Sequence, residues 1–236
     1  MPQELPVPRK TALPPFVLLS EGLELVRPQY WLFVGITAVG LILGSLVPFA
    51  ILLGPMMCGI YMCYFARMRG EEVSFQKLFR GFDHFAESLI ASLIVLGITL
   101  CFLIPVYVLM FVILFSSIEP GSGGPETVPW AALGVIYVLV LLVSIAIGAV
   151  FLFTYPLIVE HGLSGTQAVK SSFAAFRVNP GAMLGLMFVV VVVGALAALA
   201  CYLPAFLVAP LTLGALARGY RRVFPQAEEA ASAVFE

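Results

Sequence analysis

The tetrapeptide Gly162-Leu163-Ser164-Gly165, with His161 directly before it, is the spacing in this chain that comes nearest to known chemistry. A serine in GxSG is the nucleophile that intramembrane serine proteases place on a helix, and a histidine takes its proton. Such chemistry needs the serine at membrane depth and the histidine on another span, and the apolar run that follows Ser164 contains no histidine. Gln167 stands three residues on, so Ser164 reads instead as a helix N-cap with capping-box spacing. Glu160-His161 and Asp83-His84 carry metal-ligating types, yet each is an isolated pair, and a bound metal needs three or four converging ligands. No catalytic residue, metal or cofactor is assigned, and the chain is read as not an enzyme.

The groups that remain are hydroxyls set among apolar residues: Thr37, Ser45, Tyr61, Tyr64, Thr99, Tyr107, Ser144, Thr154, Tyr155, Tyr202 and Thr212. In lipid a hydroxyl mostly bonds a helix carbonyl or a neighbouring helix. A wet cavity lined by them, with carbonyls freed at prolines, would instead make a passive or Na⁺-linked path for a small solute. The four cysteines, Cys58, Cys63, Cys101 and Cys201, lie in apolar runs without CxxC spacing and read as small packing residues.

The surrounding composition fixes the class. Of 236 residues, 61% are apolar and 11% charged, against about 45–50% and about 25% in soluble domains. The mean hydropathy is +1.08 and the net charge −1, so no basic excess exists for nucleic acid. Uncharged runs cover 30–66, 88–118, 127–159 and 181–217, and about 20 helical residues cross a bilayer core. The first and last runs, of 37 residues each, contain Pro48 and Pro55, and Pro204 and Pro210, and fold best as hairpins turning near those prolines. The middle runs are single helices, the first kinked at Pro105, the second containing Pro156; the GSGGP turn cluster separates them. The prediction is an all-α polytopic membrane protein with six transmembrane helices, or four plus two re-entrant hairpins.

All twelve Lys and Arg residues then fall on one face, which places both termini in the cytoplasm. Residues 1–13 and 225–236 read as cytoplasmic tails, the first disordered, the second short and acidic, flanking one membrane domain over 14–224. Within it the pattern repeats as three hairpin units, 14–68, 73–159 and 164–222, each opened by a short amphipathic interfacial helix. In the second unit Phe75, Leu78, Phe79, Phe82 and Phe85 are predicted on one helix face, and in the third Val169, Phe173 and Phe176. These stripes, with Arg67, Arg69, Arg80, Arg218, Arg221 and Arg222, form a predicted cytoplasmic collar for anionic lipid headgroups or a partner. Glycines four apart, Gly40 with Gly44 and Gly181 with Gly185, offer close helix contact.

The stretch GPMMCGIYMCYFARMRGEEVSFQKLFRGFDHF, with Pro55, Gly59, Tyr61, Arg69-Gly70-Glu71 and Phe79-Arg80-Gly81-Phe82, resembles a broad group of bacterial integral membrane proteins. So does YPLIVEHGLSGTQAVKSS with FRVNPGAMLGL, through Pro156, Glu160, Ala168 and Ser171. The group includes YciC-like proteins and the membrane domain attached to some glycerophosphoryl diester phosphodiesterases. The resemblance implies a six-helix protein of the bacterial inner membrane without catalytic residues. The expected role is a scaffold, assembly or accessory subunit, with membrane lipids and another membrane protein or a second copy of itself as partners; a small-solute transporter or channel is the alternative.

Overall fold

The computed structural model describes residues 5–46, 51–116, 130–199 and 203–225, and every regular element within them is helical. In chain order these are α1 (Pro15–Val26), a 3₁₀ turn (Arg27–Gln29), α2 (Tyr30–Leu46), α3 (Leu53–Met68), a 3₁₀ segment (Phe75–His84), α4 (Phe85–Ser116), α5 (Trp130–Val150), α6 (Thr154–His161), α7 (Gly165–Val178), α8 (Pro180–Leu199) and α9 (Leu203–Val223). Four stretches are long and apolar enough to cross a membrane: Pro15–Leu46, Phe75–Phe115, Leu133–His161 and Pro180–Leu199. Each overlaps one apolar run of the sequence, and the first also takes in α1 and the 3₁₀ turn before it. The remaining long helices, α3 and α9, lie against the others, and most of α3 is buried.

Prolines sit where a helix tolerates them or where another group compensates. Pro55, Pro156 and Pro204 fall in the first turns of α3, α6 and α9, where the missing N–H has no intrahelical partner to lose. Pro105 and Pro210 lie inside α4 and α9. Around Pro210 two tyrosine hydroxyls serve α9 carbonyls, Tyr30 donating to Leu207 at 2.6 Å and Tyr64 to Pro210 at 2.9 Å. Pro48 lies outside the described residues.

The short segments are joined to their neighbours by glycines. A Cβ added to Gly59 of α3 would stand 1.9 Å from the Leu78 carbonyl oxygen, and one on Gly81 2.1 Å from that of Pro55. α1 meets α9 in the same way, since a Cβ on Gly22 would lie 2.6 Å from the Ala215 nitrogen and one on Gly214 3.0 Å from Gly22 Cα. On α7, Gly165 rests against the Glu87 carbonyl of α4, 2.3 Å from where its Cβ would be. The spaced glycines of the sequence behave differently: Gly40 and Gly44 touch Ile60 and Leu53, whereas Gly181 and Gly185 face open space.

Three expectations need correction. The run 127–159 is not one helix: α5 stops at Val150 and α6 starts at Thr154. Ser172 of α7 fills the break, donating to the Val150 carbonyl at 2.7 Å and accepting from the Phe153 N–H at 3.3 Å. Ser172→Ala is expected to leave both buried groups unpaired and cost about 1–3 kcal/mol for each, read as unfolding free energy in detergent. The second correction concerns the N-terminus, where Asn179 donates to the Arg9 carbonyl and accepts from the Thr11 N–H, both at 2.9 Å, while Leu13 is buried. Residues 5–14 are therefore an extended strap rather than a disordered tail, held because one buried amide satisfies two backbone groups.

The third is the Phe75–His84 segment, whose 3₁₀ winding brings every third residue onto one face. Leu78 and Gly81 are thereby turned into α3, and Leu78 leaves the phenylalanine face predicted for it.

Candidate functional site

The candidate surface is the end of the bundle where the strap, α1, the 3₁₀ segment, α6, α7 and the last turns of α9 meet. Its floor is aromatic. Tyr220 packs against Phe65, Phe153 and Phe224 with ring centroids 5.4–5.7 Å apart, tying α3 and the α5–α6 break to α9. Above it Arg221 lies over the Phe65 ring, 5.2 Å from its centroid, and pairs with Glu160 at side-chain exposures of 11% and 7%. Arg222 pairs with Glu21 of α1, and Arg67 donates from Nε to the Leu25 carbonyl at 3.3 Å. These three arginines are spent on holding the units together.

Arg69 and Arg80 face outward, whereas Arg218 is half-buried and its Nε has no partner among the described residues. Arg69 and Lys77 clasp Glu71 at 2.7 Å each, and Arg80 stands near Asp83 at 3.7 Å. Arg69, Lys77 and Arg80 border a hollow of about 410 Å³ with Phe65 and Glu160 in its wall. Arg218 and Arg67 line a smaller one beside Glu24. Between them the three-residue winding sets out the phenyl rings of Phe79, Phe82 and Phe85, all exposed, with Phe75 alongside. Phe75 meets Phe79 edge-on at 6.0 Å, and Phe82 stacks on Phe85 at 6.3 Å. On α7 Phe173 is exposed while Phe176 leans on the core.

Hydrogen bonds from Arg69, then Lys77, hold the exposed Glu71 carboxyl at about 2, below its ordinary 4.5. A depressed carboxylate stabilises the fold above its unfolded value and loses that contribution as pH falls through the folded one. The Glu71 carboxyl resonance is expected to titrate near 2, and Arg69→Gln with Lys77→Gln to return it toward 4.5.

Several hydroxyls at depth are used by the protein itself, while those of Thr37 and Thr154 are buried without a hydrogen-bond partner among the described residues. Tyr155 shares a hydrogen bond with Ser92 at 3.0 Å, and Thr99, Ser45 and Thr212 donate to carbonyls of their own helices. Ser164 is an N-cap, its N–H and hydroxyl both donating to Gln167 Oε1, at 3.1 and 2.9 Å. Among the described residues no three His, Cys, Asp or Glu side chains converge.

The sequence reading missed the inward pairings of Arg221 and Arg222. Their partners stand 61 and 201 residues away, and only Glu160, at the boundary of the run 127–159, hinted at one of them. No protein-family model matches the chain, and neither a curated protein nor a solved structure gives a match.

Proposed function

We propose that this chain is a non-enzymatic component of the bacterial inner membrane, a scaffold, assembly or accessory subunit that works through its packed helices and its cytoplasmic collar. In this reading α2, α3, α4, the α5–α6 pair, α8 and α9 are six spans, with both termini and the three short segments on the cytoplasmic side. The basic collar supports that orientation. Trp31 at the collar end of α2 and Trp130 at the far end of α5 are both exposed, as indoles are at the two levels of a bilayer interface. α3, with 16 residues and about 24 Å of length, is short for a span but is surrounded by protein rather than lipid. The inner-membrane assignment rests on the resemblance carried by Pro55–Phe82 and Pro156–Ser171.

The observation that carries the role is the division of labour at the collar. Arg67, Arg221 and Arg222 are committed inward, while Phe79, Phe82, Arg69 and Arg80 are presented outward. The use of the Ser45, Tyr64, Thr99 and Thr212 hydroxyls on backbone carbonyls favours a scaffold over a solute path. The test is gentle extraction of the tagged chain with lipids retained, followed by native mass spectrometry. A stoichiometric second protein that is lost in Phe79→Ala/Phe82→Ala, with unchanged thermal stability, is the expected result. A chain recovered alone, or a partner retained unaltered by that double variant, would overturn the reading.

A further inference from the structure

A second feature lies away from the collar floor. α4 and α5 diverge around a hollow of about 600 Å³, whose walls include Ile98 and Phe102 of α4 and Val143 and Ile147 of α5, with Phe151 from the helix break. Across one end lies α7, which touches both walls and brings Phe173 and Lys170 to the rim. Every side chain lining the hollow is apolar except Lys170. Lys170 is exposed, and among the described residues no carboxylate pairs with it.

We infer that this groove seats one membrane lipid, an acyl chain lying between α4 and α5 and an anionic glycerophosphate headgroup held at Lys170. The inference deepens the proposed function, because it rests on α7 lying at the cytoplasmic interface. The shape selects the occupant. α7 packs against both α4 and α5 and brings Lys170 to a lining that is otherwise apolar, an arrangement that matches an acyl chain with an anionic headgroup. An acyl chain seated there would set its headgroup beside Lys170, the only cation among the described residues that lines the hollow. The volume falls within the range of about 300–1,000 Å³ typical of small-molecule pockets. The lining agrees as well: Val143, Ala146, Ile147 and Val150 recur at helical spacing along α5 and present one continuous apolar wall.

The groove also explains why Ser172 matters beyond stability. By capping the α5–α6 break it fixes Phe151 in the floor, next to α7's own Phe173. The lipid would then bridge a spanning pair and the helix lying across it.

The test is native mass spectrometry of the full chain released from nanodiscs of equal phosphatidylglycerol and phosphatidylcholine. The wild type is expected to retain one lipid, with phosphatidylglycerol favoured about fivefold for a single basic side chain at the membrane surface. Lys170→Gln, a surface change, should keep a lipid but bring the preference close to unity. Ala146→Trp, which fills the groove, should release it. No retained lipid in the wild type, or the same phosphatidylglycerol adduct in both variants, overturns the inference. Recovery of a protein partner is scored on the native-membrane extract, so its absence refutes the scaffold reading while the lipid count still judges the groove.

Discussion

Gly59→Ala is expected to destabilise the protein by about 3 kcal/mol or more, the upper end of what an added methyl costs in a packed interior. Its new Cβ would meet the Leu78 carbonyl oxygen at 1.9 Å and carbon at 2.8 Å. Both are backbone atoms of the 3₁₀ segment, so no rotamer change relieves the clash. Gly81→Ala should behave alike, since its Cβ would strike the Pro55 carbonyl and the Gly59 backbone. Relief requires the whole segment to lift from α3, which would uncover Leu78. Gly97→Ala in α4 is the control: nothing lies within 4 Å of its Cβ position, and alanine there should help the helix by about 0.5–1 kcal/mol. Reversible unfolding in mixed micelles reads all three. A cost under about 1 kcal/mol at Gly59 would show that the two backbones are not in contact.

The second large effect is at Glu160. Glu160→Leu should cost about 3–5 kcal/mol, because it leaves the Arg221 guanidinium enclosed without its counter-charge. Glu160→Leu combined with Arg221→Met should recover most of that loss, as apolar groups commonly replace a buried pair at little net cost. The cation over the Phe65 ring makes the recovery incomplete, since methionine keeps the packing but not the attraction. If the single and double variants were equally unstable, the pair would not be the source of the penalty. Glu160→Gln separates charge from shape, retaining an acceptor for Arg221 and giving a smaller loss than leucine.

Much of the architecture was legible in the sequence because uncharged length is a strong signal. The four apolar runs became helices near their expected bounds, and each contributes to one of the four stretches long enough to cross a membrane, the first of which begins upstream of its run, at Pro15. Pro55 and Pro204 of those runs open α3 and α9 for a local reason, the missing N–H, whereas Pro210 lies inside α9. Gly59 and Gly81 drew attention only as parts of a resemblance, because a glycine joint depends on what stands opposite it. Spacing within one helix singled out Gly181 and Gly185, which touch nothing. The phenylalanine stripe was visible, but the choice between 3.6 and three residues per turn was not, and that choice moved Leu78 from the stripe into the core. The break at Phe151–Phe153 was hidden for the same reason as Arg222's partner: its stabilising group, Ser172, comes from elsewhere in the chain.

The seam between α1 and α9 has a consequence in time. Gly22 packs on Gly214, and Glu21 and Arg222, 201 residues apart, close over it. At about 5–20 residues per second of synthesis, the second half of that seam follows the first by roughly 10–40 s. During that interval α1 stands with its glycine face uncovered, and the seam is completed only when α9 is made. A chain that stops short of α9 lacks both Gly214 and Arg222 and leaves the α1 side of the seam open.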